Sequence, residues 1–153
     1  MMGKEIERKF IVKNDIWENF KKPVPSFICQ GYLSITDETT IRVRYTETKG
    51  TFTIKGKQQG ISRDEYEYEI PLDEAKEIFE SHCPKTLSKN RYKIPVGSVI
   101  WEVDEYVNNL SRLIIAEVEL VHENQTIDVL PEWIGDEVTS DIKFSNAFLA
   151  GNV

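Results

Sequence analysis

Alternation of apolar and polar positions dominates the chain. Over residues 5–13, Ile6, Phe10 and Val12 share one face, broken by Arg8, while Glu5, Glu7 and Lys9 share the other. A two-residue period recurs over 27–34, 40–46, 50–57 and 63–70, then over 86–94, 98–106 and 113–122. Each run predicts a strand, with Asp37, Gly50 and Gly60 marking turns. Three segments follow a helical period instead. Residues 15–20 predict a short helix capped by Asp15, with Glu18 at the capping-box position and Ile16, Trp17 and Phe20 on its apolar face. Pro23 and Pro25 end it. Residues 73–82 predict a second helix, with Leu72, Ala75, Ile78 and Phe79 at helical spacing and Pro84 as the stop. A final helix is expected near 144–150. Successive hairpins with few helices predict an α+β, mainly β fold, with helices packed outside an antiparallel sheet or barrel.

The polar faces of these strands are unusually rich in charge. Arg42 and Arg44 oppose Ile41, Val43 and Tyr45; Lys55 and Lys57 oppose Phe52 and Ile54; Glu65, Glu67 and Glu69 oppose Tyr66, Tyr68 and Ile70. Lys89, Arg91 and Lys93 share one face, as do Glu102 with Asp104, and Glu117 with Glu119. One charged face is ordinarily a solvated exterior. Seven such faces, sorted into pairs of like sign, are not, because a solubility surface intersperses its charges. Two geometries accommodate the pattern. Either the sheet is open with a large charged face, or it closes into a barrel of about eight strands with the charges inside.

Composition narrows the partners. The 153 residues fit one domain spanning 1–153. The formal net charge of -7 argues against a nucleic-acid polymer, which selects a basic surface. No apolar run approaches the roughly 20 residues of a membrane-spanning helix. The N-terminus lacks the apolar centre of a signal peptide, so a cytoplasmic location is expected, with Cys29 and Cys83 as free thiols.

Paired carboxylates on one face are oxygen ligands suited to Mg²⁺ or Mn²⁺. Arg-x-Arg and paired lysines are phosphate clamps, and guanidinium forks bind phosphate oxygens in bidentate fashion. A site holding both suits a metal-bound polyphosphate.

The residues also resemble a known family. Glu5-Ile6-Glu7-Arg8-Lys9 is similar to the Glu-x-Glu-x-Lys signature of the CYTH superfamily, the triphosphate tunnel metalloenzymes. Gln30-Gly31-Tyr32-Leu33, Arg42-Val43-Arg44, Thr53-Ile54-Lys55, Glu65-Tyr66-Glu67, Asn90-Arg91-Tyr92, Trp101-Glu102-Val103-Asp104 and Ala116-Glu117-Val118-Glu119 follow in the family's order. So do Val138-Thr139-Ser140-Asp141 and Asn146, while Phe144 stands where a tyrosine is common. The resemblance implies a closed antiparallel eight-stranded barrel with a charged tunnel. It implies Glu5, Glu7, Asp104, Glu117 and Glu119 as metal carboxylates, with Glu65, Glu67, Glu102 and Asp141 as further candidates. Lys9, Arg42, Arg44, Lys55, Lys89 and Arg91 would bind the triphosphate, with Lys57 in doubt because Gly56 could flip its face. In short bacterial members a tyrosine and a lysine at the positions of Tyr32 and Lys89 steer toward tripolyphosphate hydrolysis.

The implied activity is metal-dependent attack of water on inorganic tripolyphosphate, giving pyrophosphate and phosphate. An adenylate cyclase of class IV type, a nucleoside or thiamine triphosphatase, and a polyphosphate-binding module without catalysis are the other readings. The resemblance also allows for a homodimer. Away from the site, His82 and His122 read as surface residues, Trp17, Trp101 and Trp133 as packing residues, and Arg8 as the partner of an outer carboxylate.

Overall fold

The computed structural model describes residues 3–107, 110 and 112–151. The elements run β1 (Lys4–Val12), α1 (Asn14–Glu18), β2 (Ser26–Ile35), β3 (Thr40–Tyr45), β4 (Gly50–Lys55), β5 (Ser62–Ile70), α2 (Leu72–His82), β6 (Lys85–Val96), β7 (Val99–Tyr106), β8 (Ile114–Glu119), β9 (Ile134–Glu137), a 3₁₀ turn (Ile142–Phe144) and α3 (Asn146–Gly151). Neighbouring strands pair antiparallel in the order β5-β4-β3-β2-β6-β7-β8-β1, and β5 also pairs with β1. That last pairing closes an eight-stranded barrel, which decides between the two geometries. No helix of the described residues is long and apolar enough to cross a membrane.

Closure turns the alternating charges inward and the alternating apolar residues outward. Outside the wall formed by β1, β7 and β8, a cluster of Phe10, Val12, Trp101, Val103, Ala116 and Val118 is covered by Trp17 of α1 and by Trp133. The ring of Trp17 lies 5.1 Å from that of Trp133, edge to face. All three tryptophans are thus packing residues, each at most 2% exposed.

The ninth strand has no counterpart in the alternation pattern. β9 is four residues long and adds to β1, where its register shifts between Phe10 and Val12. Arg8 secures it through a bidentate pair with Glu137, at 2.9 and 2.7 Å. Its break in the apolar face is therefore a clasp for β9. Asp15 does not cap α1: Lys13 holds the cap position without a side-chain bond, and Asp15 lies in the first turn.

α2 lies against β2, β3 and β4. Its fully buried Ala75 rests on Gly50, where an added Cβ would stand 2.6 Å from the Ala75 Cβ. We expect Gly50→Ala to push α2 off the barrel and destabilise the chain by about 1–3 kcal/mol. A thermal melt unchanged from that of the unaltered protein would disprove this contact.

α3 departs from the expectation of helices on the outside. It packs with Tyr32, Leu87, Tyr106 and Ile115, which share the inward strand face with the charges. Leu149 and Ala150 complete this cluster, so α3 packs over one end of the barrel.

Candidate active site

Strand order sorts the interior charges into two arcs. β5, β1, β8 and β7 are contiguous and supply Glu65, Glu67, Glu5, Glu7, Glu117, Glu119 and Glu102, with Lys9 and Arg63 as the cations among them. The opposite run, β4, β3, β2 and β6, supplies Lys55, Arg42, Arg44 and Arg91, together with Tyr32. Between the arcs is a cavity of about 220 Å³. Register builds the contacts across neighbouring strands. Glu7 lies opposite Glu119, Lys9 opposite Glu117, and Glu117 opposite Glu102.

Each cation is held by acids or by neutral oxygens. Lys55 pairs with Glu5 at 2.9 Å and Glu65 at 3.5 Å. Lys9 lies 3.7 Å from Glu117 and donates to the Phe144 carbonyl at 3.2 Å. Arg42 donates to Thr53 Oγ1 at 3.2 Å and meets Glu67 at 3.4 Å, yet its buried Nε has no partner among the described residues. Arg44 donates to the Gln30 carbonyl oxygen through Nε and a terminal nitrogen.

Two residues expected at the cavity share its strand faces but are not among those lining it. Asp104 is fully buried, grips Arg91 with both oxygens at 2.7 and 2.8 Å, and lies 2.8 Å from Lys89. Both of its oxygens are engaged by these two cations. Lys89 is itself fully buried and outside the lining, and it touches Asn146 Oδ1 at 3.3 Å. Burial outweighs Asp104 and, helped by Arg91 and Arg44, pushes the Lys89 ammonium down to about 7. Two candidates lie elsewhere. Lys57 follows the end of β4 and reaches Glu38 at 3.8 Å on the surface. Asp141 accepts from the Lys143 amide and caps the 3₁₀ turn.

The sequence model of the CYTH domain family matches residues 3–145. The chain belongs to the CYTH domain family. It is 46% identical over 152 residues to an inorganic triphosphatase of Acetivibrio thermocellus, covering 99% of this chain and 96% of that protein. An inorganic triphosphatase of Nitrosomonas europaea is 35% identical over 150 residues, covering 95% and 96%. A crystal structure of an inorganic triphosphatase aligns with a TM-score of 0.66 at 31% identity, over 95% of this chain and 93% of that one. A putative adenylate cyclase from Bacillus halodurans shares the fold, with a TM-score of 0.62 at 22% identity over 80% and 84%.

Further residues of this CYTH barrel escaped the charge pattern. Arg63, Thr40, Ser145, Asn146 and Ala147 all line the cavity. Arg63 sits at the start of β5, where the alternation that begins with Glu65 extends back by two residues. Asn146 opens α3, and only the tertiary packing brings it to the barrel, where its Oδ1 accepts from the Tyr106 hydroxyl at 2.6 Å.

The carboxylate arc is electrostatically frustrated. Burial, then Glu117 and Glu5, raise the Glu7 carboxyl well above its ordinary range. Burial, then Glu5, push Glu65 up to about 7. Glu117 goes the other way: burial alone would raise it, but Lys9, Arg91 and Lys89 hold it well below the usual range. Among the described residues no ready-made cluster of three or more metal ligands is assembled. Crowded hard oxygens of one sign still fit Mg²⁺ or Mn²⁺, which bind through one or two carboxylates and complete their shells with substrate phosphate oxygens and water.

A pH dependence follows. A folded-state carboxyl pKa above the unfolded value favours the empty barrel while protonated, so this contribution is present at low pH. For Glu65 it is lost as pH rises from about 4.5 toward 7. Divalent ions compete with the same protons. We expect Mn²⁺ affinity, measured calorimetrically from pH 5.5 to 8, to climb about tenfold per unit where one proton is released per ion. A flat profile would show that these carboxyls do not take the ion.

Proposed function

We propose that this chain hydrolyses inorganic tripolyphosphate to pyrophosphate and phosphate. The carrying observation is the composition of the cavity. Its described lining holds six cations, seven carboxylates and a single aromatic residue, Tyr32. No apolar face lies there for a nucleobase or a thiazole ring to rest on. The volume of about 220 Å³ is also below the roughly 300–1,000 Å³ typical of sites for larger organic ligands. A triphosphate and its counter-ions suit such a space.

Arg42, Arg44, Arg91, Lys55, Lys9 and Arg63 would grip the phosphate oxygens, with the guanidinium groups fixing the orientation. Glu5, Glu7, Glu117 and Glu119 would hold the divalent ion. Once bound, Mg²⁺ or Mn²⁺ supplies charge neutralisation on the phosphates and lowers the pKa of water. The water oxygen forms a bond to the terminal phosphorus, the bridging P–O bond breaks, and pyrophosphate leaves. The chain's own part is to hold the triphosphate in line and neutralise the charge that spreads over the transferring group. Tyr32 faces the cavity and can donate its hydroxyl proton to a phosphoryl oxygen. Lys89, buried beneath α3, balances Asp104 and thereby fixes Arg91.

The seven carboxylates weigh against a module that only binds polyphosphate, since anion binding alone gains nothing from them. The test is phosphate release from tripolyphosphate with Mg²⁺ and with Mn²⁺, compared with ATP and thiamine triphosphate, with products identified. Faster turnover of an organic triphosphate, or cyclic AMP with pyrophosphate from ATP, would overturn the proposal. Two free cysteines accord with a reducing compartment such as the cytoplasm.

A further inference from the structure

Gln30 is fully buried, carries no charge and does not line the cavity, yet it touches two residues that do. It lies opposite Arg44 in the β2–β3 register and two residues before Tyr32 on the same face of β2. Arg44 donates to Gln30 Oε1 at 3.3 and 3.1 Å, and Gln30 Nε2 donates to the Tyr32 hydroxyl at 2.9 Å.

The orientation of this amide is forced by chemistry. A guanidinium has only donors, so the oxygen of Gln30 must face Arg44. The NH₂ group is thereby turned toward Tyr32. A phenol has one proton, and an oxygen that accepts from Gln30 keeps that proton for another partner. Tyr32 lines the cavity, where that partner would be a substrate oxygen.

We propose that Gln30 is a positioning residue that sets the polarity of the Tyr32 hydroxyl. Arg44 fixes the amide, the amide occupies the phenol's acceptor side, and the phenol proton is presented to the phosphoryl oxygen. The same amide holds the Arg44 fork, so one neutral residue couples a binding cation to a catalytic donor. This rests on the reading of the chain as a tripolyphosphatase.

Gln30→Glu separates polarity from packing. It nearly preserves size and still accepts from Arg44, but it has no donor for Tyr32. The phenol must then donate to the new carboxylate and turn its proton from the substrate. We expect kcat on tripolyphosphate to fall about ten- to a hundredfold, the range for losing a hydrogen bond to a charged group. KM should change by less than about threefold, because Arg44 keeps its acceptor. In a Tyr32→Phe background the same substitution should cost less than about twofold more, since the hydroxyl it redirects is gone.

An unchanged kcat, or the full loss persisting in the Tyr32→Phe background, overturns the proposal. A thermal melt distinguishes these outcomes from unfolding. Should Gln30→Glu not fold, Gln30→Met carries the same cycle: non-additivity with Tyr32→Phe supports the coupling, and full multiplication of the two effects refutes it. If the unaltered chain does not hydrolyse tripolyphosphate, the functional reading fails by itself. The cycle is then read as tripolyphosphate affinity by calorimetry, where coupling between the two positions again supports the arrangement and strict additivity refutes it.

Discussion

Glu117→Gln is expected to leave a folded barrel whose tripolyphosphate turnover falls by at least about a hundredfold. Glu117 sits at the centre of the carboxylate arc, opposite Lys9 on one neighbouring strand and Glu102 on the other. Despite its burial, the cations around it hold its carboxyl well below the usual range, Lys9 foremost and then Arg91 and Lys89. It therefore stays ionised where its neighbour Glu7 tends to keep a proton. A carboxylate whose ionised form is favoured by its neighbours is the natural anchor for a divalent ion, and glutamine keeps the shape while removing that charge. The substitution also turns an amide toward Lys9, so the lysine loses its acid partner at 3.7 Å. Turnover against Mg²⁺ and Mn²⁺ concentration, with a thermal melt beside it, checks the prediction. Unaltered turnover with an unaltered ion requirement would remove Glu117 from the metal-binding set.

Arg42→Ala should act chiefly on KM, raising it for tripolyphosphate by about a hundredfold. The guanidinium is buried, anchored by Thr53 and Glu67, and its Nε has no partner among the described residues. Arg42 lines the cavity, where its guanidinium is placed for a phosphate oxygen. Stability should suffer little, because the Glu67 side chain is 45% exposed and water can replace its lost cation. Arg42→Lys should not restore affinity, since an ammonium cannot present the planar fork. Steady-state kinetics of the two variants tests this. A lysine variant with the original KM would show that Arg42 supplies charge alone.

The strands were legible because most pair an apolar face with a charged one, and a period of two survives any loop between them. The short helices were less so. α1 begins without a side-chain cap, and its register rests on Trp17 docking against Trp133, a contact 116 positions away that local pattern does not carry. β9 was not visible because four residues hold too little alternation, and it exists through its pairing with β1 and the Arg8–Glu137 clasp.

For the site, residue type was readable and availability was not. Glu102 and Asp104 look alike as an acid pair on one strand face, but only Glu102 lines the cavity. Asp104 is spent on Lys89 and Arg91, because the β6–β7 register sets it directly opposite Arg91. Lys57 continues the pattern of Lys55, yet β4 has ended before it. Gln30 gave no signal in the pattern, since a neutral amide in a strand reads as bland until Arg44 and Tyr32 close around it.

The sequence by itself determined the eight barrel strands and the sign of the charges on those that carry them, since alternation is a local property of the chain. The tertiary structure decided that the sheet closes, that contiguous strands gather the acids on one arc and most of the bases on the other, and which of those charges line the cavity. These depend on strand order and register, which arise from pairings between distant segments, and on burial, which no single strand possesses alone.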